Sequence, residues 1–423
     1  MKNIENAYWL CITTIILILS FSSQASTKNQ YHLLSEERLL SLTQQLEQYV
    51  DNQQLSGGVV LIKHQGQDVY FNAFGQQNIE ANIAMKKDTI FRIASQTKAI
   101  VSVAVMMLQE QGKLLIQDPV SRYLPEFKTT YVAEPDPSKP NGYRKVKARR
   151  QITIRDLLMH TSGIGYGYGL AQQEWQQAGI QGWYFSGSKT PMREVVKEIS
   201  TLPQESQPGA AFVYGYSTDI LGVVVEEVTG MPLSQYLGQQ IFKPLQMKDT
   251  HFYLPKEKHN RLATVYSAGP DGKIIKAPEG AKEQAQGLYH ASGTVYSAGA
   301  GLVSTAADYG RFLELLLNKG KLDGQRILSA HSIELMTKDH LYPITYPWEE
   351  GVGFGLGFSI TKAPELRGVP SFTNEYGWGG AYHSTYWVDP SHELIVVYLS
   401  QLIPAKNIDD HQQLRALIYQ TLK

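Results

Sequence analysis

The chain has 423 residues, of which 43% are hydrophobic and 10% aromatic, and its 39 basic side chains balance 39 acidic ones for a formal net charge of zero. This composition supports a large packed core and excludes a disordered chain. A nucleic-acid binder would normally carry a basic excess, which is missing. The length fits one large domain or two to three ordinary ones.

The N-terminus reads as a processing segment. Lys2 precedes the apolar run 10–19, and small residues at 23–25 follow, with a cut expected after Ala25. That is the pattern of a secretory signal peptide, too short to span a bilayer comfortably. An uncleaved anchor is the alternative, and would be the chain's one link to a membrane. Cys11 is the only cysteine. The mature chain would have no disulfide, cysteine nucleophile or cysteine-ligated metal, which suits an exported protein of a bacterial periplasm.

Further along, Leu39, Leu42, Leu46 and Tyr49 recur at helical spacing within 36–50. The runs 57–63 and 68–74 read as strands of a hairpin turning at 64–67. Ser95-Gln96-Thr97-Lys98 opens an apolar helical run that continues to Leu108. From 115 to 290 helix and loop signals dominate, with helices expected at 154–159, 192–200, 220–228 and 233–241. The Pro-rich stretch 134–142 reads as a surface loop. Ser304, Thr305 and Asp308 form an N-cap signal ahead of 312–317. Strands at 384–388 and 394–400 flank a turn at 389–392, and a closing helix covers 410–422. Strands at both chain ends imply a discontinuous sheet domain, 30–114 with 290–423, interrupted by a mostly helical inserted domain, 115–289.

The chemistry concentrates at Ser95 and Lys98. Residues three apart share a helix face, so the lysine can take the serine's proton once burial disfavours its charged form. That makes an activated nucleophile without histidine. Ser186-Gly187-Ser188-Lys189 repeats the spacing in a Gly/Ser/Pro setting that reads as loop, so Ser95 is the candidate. No Gly-x-Ser-x-Gly elbow and no His-Glu-x-x-His zinc motif occurs.

Several stretches in order resemble the class C β-lactamase superfamily of serine hydrolases, which includes family VIII carboxylesterases and certain D-Ala-D-Ala peptidases. They are 91–98, 118–125, 152–163, Pro208-Gly209, 301–308 and Gly377-Trp378-Gly379-Gly380. The resemblance implies an α/β (α+β) fold of the β-lactamase/penicillin-binding-protein type, an antiparallel sheet flanked by helices. It assigns the nucleophile to Ser95 and its lysine to Lys98. The Tyr-x-Asn motif falls on Tyr214-Gly215-Tyr216, so Tyr214 matches the catalytic tyrosine, with Tyr216 the alternative. The Lys-Thr-Gly motif reads Trp378-Gly379-Gly380. Losing that lysine removes the cation that would bind a substrate carboxylate and favours neutral esters, a point on which family VIII carboxylesterases are similar.

On this reading Lys98 and Tyr214 act as base, and the backbone N–H groups of Ser95 and Ala381, on an edge strand, hold the oxyanion. Trp378, Gly379, Gly380, Tyr216 and His383 are candidates to line the substrate site. The chemistry requires no metal or organic cofactor, and the partner is a small ester or amide. His160 reads as a hydrogen-bonded structural histidine at a helix end. The aromatic group Tyr166, Tyr168, Trp175, Trp183, Tyr184 and Phe185 either walls an acyl pocket or packs as core. A β-lactamase, D-Ala-D-Ala peptidase or amidase of the same fold, and a non-catalytic binding homologue, remain alternatives to the esterase.

Overall fold

The computed structural model describes residues 35–183, 185, 189–278, 289 and 293–422. The expected signal segment 1–25 with Cys11, and Tyr184 and Ser186, lie outside these. No helix among the described residues is long and apolar enough to cross a membrane.

Helix α1 (Glu36–Asp51) leads into an antiparallel hairpin, β1 (Gly57–His64) and β2 (Gln67–Asn78). The turn is two residues, Gln65 and Gly66, with φ of 50° and 73°. Such a left-handed pair matches the strands' own twist. A short strand, β3 (Ile83–Ala84), pairs with β2. The chain then leaves the sheet, passes through helices α2 (Thr97–Glu110), α3 (Ser217–Thr229) and α4 (Ala306–Leu317), and returns as five more strands. These are β4 (Val352–Phe354), β5 (Ser359–Thr361), β6 (Tyr376–Gly380), β7 (Ser384–Asp389) and β8 (Leu394–Leu399). Helix α5 (Asp410–Tyr419) follows. The sheet order is β4-β5-β6-β7-β8-β1-β2-β3, so the last strand pairs with the first and joins the two ends of the chain.

Both faces of the sheet are covered, which is why β8 (Leu-Ile-Val-Val-Tyr-Leu) is apolar and buried throughout rather than alternating. On one face Val60, Ile62, Val396 and Tyr398 pack against Leu42 and Leu46 of α1 and Leu414 and Ile418 of α5. On the other, Val59, Leu61, Val397 and Leu399 join the main core with α2 and α4.

Three expectations change. The Pro-rich stretch is the tip of an antiparallel hairpin, Tyr131–Pro135 with Tyr143–Lys147, because Pro135 occupies the last strand position and the remaining prolines fall in the turn. The helix expected at 233–241 stays α-helical only through Leu237, then widens to a π turn over Gly238–Phe242. The strand carrying Trp378 is interior, between β5 and β7. However, β5 pairs only with Tyr376 and Gly377, so Trp378 to Gly380 keep one free backbone edge.

Leu46 is buried and Leu40 is 63% exposed on the same helix. Leu46→Ala should cost about 2–5 kcal/mol and Leu40→Ala under about 0.5 kcal/mol, read as midpoints of chemical denaturation. At the start of α5, burial and the neighbouring His383 push the His411 imidazole down from 6.5 to about 4. The folded chain thus favours neutral His411, so its contribution is present above pH 6.5 and is lost as pH falls towards 4. From pH 7 to pH 5 this amounts to on the order of 2 kcal/mol, and His411→Gln should flatten the fall in melting temperature across that window.

Candidate active site

Ser95 sits where the strand residues Phe91–Arg92 turn into α2. It lies in a 3-10 turn, Ala94–Gln96, one step ahead of the α-helix rather than inside it. In 3-10 geometry residues i and i+3 eclipse, so Lys98 still faces Ser95. Ala94 adopts a φ of 41°, a strained value for a residue with a Cβ. The surroundings hold it there. Ala94 is buried with Val265 and Tyr382, Ile93 N–H donates to the Leu302 carbonyl at 3.1 Å, and the Tyr309 hydroxyl donates to the Gln96 carbonyl at 2.9 Å.

Lys98 is 2% exposed. Its Nζ has three oxygen neighbours: the Gly299 carbonyl at 2.7 Å, the Tyr166 hydroxyl at 3.2 Å and Ser95 Oγ at 3.3 Å. Only the carbonyl is obliged to accept. A neutral amine can therefore donate to Gly299 and Tyr166 and keep its lone pair for the serine proton. Asp219 of α3 positions this arrangement. Its Oδ1 accepts from Gly299 N–H at 3.0 Å and from Ser297 Oγ at 2.9 Å, while Oδ2 is buried without a partner. Burial pushes the Asp219 carboxyl up, opposed by Lys98 and those two donors.

The loop 160–169 and the stretch 212–216 cross tightly. A Cβ on Gly215 would lie 2.3 Å from the Ile164 carbonyl, so only glycine fits. Val213 N–H donates to the His160 carbonyl at 2.7 Å. This crossing sends the two candidate tyrosines to opposite sides. The Tyr214 ring lies 4.7 Å from Lys98 Nζ, and its hydroxyl accepts from Trp378 Nε1 at 3.0 Å. Tyr216 faces inward: it is fully buried, stacks on Trp175 and donates to the Gly182 carbonyl. Tyr216 is therefore core rather than substrate lining.

His160 is also corrected. It follows the helix Ile154–Leu158 with a φ of 55°, but its Nδ1 has no partner, and its ring packs 4.6 Å from that of Tyr214. Burial and Lys98 hold His160 well below the usual histidine range, so it supports Tyr214 as a neutral ring.

Opposite Ser95 lies the free edge of β6. Gly380 must lack a side chain here, since a Cβ would sit 2.5 Å from the Ile93 carbonyl and 2.6 Å from Ser384 Oγ. Ala381 is exposed and begins the three-residue turn to β7, closed by His383 N–H donating to the Gly380 carbonyl at 3.0 Å. Ser95, Tyr214, Trp378, Gly379, Gly380, Ala381 and His383 all line one cavity of about 890 Å³. His383 carries a φ of 61° and bonds Asp410 at 2.6 Å.

The aromatic group divides. Tyr166 reaches Lys98 and Trp183 lines the cavity, while Trp175 is core, Phe185 packs on Tyr216 and Tyr168 is 64% exposed. Sequence reasoning left Tyr166 undistinguished and missed Asp219 and Trp348. A carboxylate inside the apolar run of α3 is a readable signal for Asp219. Trp348, 56% exposed and edge-on to Tyr214, sits in a segment without periodicity.

The Beta-lactamase family model covers residues 42–420. The chain belongs to that family. It is a serine hydrolase of the β-lactamase/penicillin-binding-protein fold, with esterases and D-Ala-D-Ala carboxypeptidases among its homologues. Esterase EstB of Burkholderia gladioli is 30% identical over 373 residues, covering 84% of this chain and 88% of EstB. A putative D-alanyl-D-alanine carboxypeptidase of Escherichia coli K12 is 27% identical over 382 residues, covering 86% and 82%. The structure of EstCE1, a hydrolase with promiscuous acyltransferase activity, superposes with a TM-score of 0.77 at 27% identity, covering 90% of this chain and 99% of that one.

The approach of β6 to the Ser95 turn generates a prediction. Gly380→Val should slow fluorophosphonate labelling of Ser95 by about 100-fold or more, because a shift near 1 Å at the hydroxyl that reacts with such a label is enough for that loss. An unchanged labelling rate in a folded variant would mean that the strand does not shape the site.

Proposed function

We propose that this hydrolase cleaves carboxylic esters of neutral acids through an acyl-enzyme on Ser95. The observation that carries the reading is Trp378. Where a carboxylate-binding cation would stand, the chain puts an indole whose N–H is committed to the Tyr214 hydroxyl at 3.0 Å. A β-lactam or peptide carboxylate arriving there meets an apolar ring and must lose water without a compensating charge. An ester with an apolar acyl group instead finds the rings of Tyr214, Tyr346, Trp348 and Trp378.

In the first step Ser95 Oγ attacks the carbonyl and its proton passes to Lys98 Nζ. The backbone N–H groups of Ser95 and Ala381 face the developing oxyanion. Donors of this kind are worth about 3–4 kcal/mol each. The proton then moves to the leaving alkoxide by way of Tyr166 and Tyr214, whose rings meet edge to face with centroids 5.7 Å apart. Burial keeps the Tyr166 phenol well above its usual range, so it relays a proton as a neutral hydroxyl rather than serving as a phenolate base. Water reverses the sequence and frees the acid. The apolar run at 10–19 and the small residues before Ala25 support export to a bacterial periplasm. N-terminal sequencing of the periplasmic protein should then begin at Ser26.

The purified chain should hydrolyse p-nitrophenyl butyrate readily and a chromogenic cephalosporin poorly. Ser95→Ala should lower ester turnover by about 1,000-fold or more. Strong cephalosporin turnover would place the protein with the β-lactamases. Absence of both activities, with Ser95 unlabelled by a fluorophosphonate, would make it a binding homologue.

A further inference from the structure

The cavity that begins at Ser95 does not end at Trp378. It bends around the free edge of β6 and continues on the opposite face of the sheet, beside α5. Directly paired residues of antiparallel strands share a face. Ser359, Gly377 and Trp387 therefore point the same way, as do Gly379 and Thr385. Trp387 belongs to the core under α1 and α5, which fixes this face as the one away from Ser95. The floor stays open because Gly379 carries no side chain: a Cβ there would meet only the Ser384 carbonyl, at 3.0 Å. Thr385 completes the floor, and His383, Gln412 and Arg415 form a wall.

The two arms differ in chemistry. On the Ser95 side the lining is aromatic. On the far side hydroxyls, an amide and charged groups that already have partners predominate, with the Trp387 ring and the His411 imidazole among them. Arg367 holds Glu349 at 2.7 Å and Glu375 at 3.2 Å, Arg415 holds Glu375, and His383 holds Asp410 at 2.6 Å. An ion entering this arm would shed its water without finding an unpaired opposite charge. An alkyl group would meet the Trp387 ring but mostly polar surface around it. A neutral group rich in hydroxyls finds the Thr385 hydroxyl, the Gln412 amide and the free backbone edge of Trp378 to Gly380.

We propose that the far arm is a subsite for a neutral, polyhydroxylated alcohol. On this assignment, which rests on the esterase reading, the preferred substrate is a polyol ester of an apolar acid. The acyl part lies among the aromatic rings, and the alcohol reaches around the strand edge into the polar arm. The bond broken is the ordinary acyl–oxygen bond, with the polyol leaving as its protonated alcohol.

The test compares 1-monobutyrin with n-propyl butyrate, which share the acyl group and a three-carbon alcohol and differ by two hydroxyls. The full chain should favour monobutyrin by about tenfold in kcat/KM, mainly through KM. The double variant Thr385→Val, Gln412→Leu should bring the ratio within about twofold of one. Gln412 is exposed, so Gln412→Leu alone keeps the test independent of folding, and it should reduce the preference in part. Equal kcat/KM for the two esters in the unaltered chain, or a preference that survives the double variant, would overturn the subsite while leaving the esterase intact. Failure to cleave either ester, with Ser95 unlabelled, would overturn the esterase reading and the subsite with it.

Discussion

An amine enclosed by protein is the constraint around which this molecule is arranged. Lys98 lies inside the fold, and each of its three oxygen neighbours comes from a different segment. Ser95 arrives on the turn before α2, Tyr166 on the loop after the helix Ile154–Leu158, and Gly299 on a stretch anchored by Asp219. A buried nitrogen without those partners would lose solvation with nothing in exchange. The same contacts that make the lysine tolerable in the interior therefore bring the Ser95 hydroxyl, a phenol and a supporting carboxylate to one point. Stability and chemistry meet at a single atom, and loosening any one segment disturbs both.

The strand β6 closes the site by what it lacks. Gly380 allows the backbone to reach the Ser95 turn, Gly379 leaves space behind the strand, and the short partner β5 leaves the edge unpaired. Between Gly377 and Gly380 only Trp378 carries a side chain, and its indole donates to the Tyr214 hydroxyl. The result is a cleft walled near Ser95 by aromatic rings, with an indole at position 378.

What could be read from the chain followed how local the signal was. Ser95 and Lys98 are three residues apart, so their meeting depends on one turn. Helix α1 and the hairpins at both ends showed because period and turn chemistry agree over short windows. The strands β4 and β5 did not, since three residues are too few to show a period. The hairpin Tyr131–Lys147 was masked by prolines that occupy its tip. Tyr214 and Tyr216 show the limit most clearly. They are the same residue type two positions apart, and what separates a site residue from a core residue is the crossing at Gly215, a contact with residue 164 that no local pattern contains. Tyr166 was lost in the same way among aromatic neighbours, since its importance comes from reaching Lys98 across the fold.

The pairing of β1 with β8 has a consequence for how the molecule comes into being. Val59 pairs with Ala73 on one side and with Leu399 on the other, so the central strand of the first half has no neighbour on that second side until nearly the whole chain has been made. Long-range strand pairing of this kind delays closure, because the entropy of joining distant ends is lost before any contact is gained. A nascent chain can form local pieces such as the β1–β2 hairpin early, but it completes the sheet in one late event. Such a polypeptide can be threaded before it folds, and it acquires its finished shape only after its last strand has been delivered.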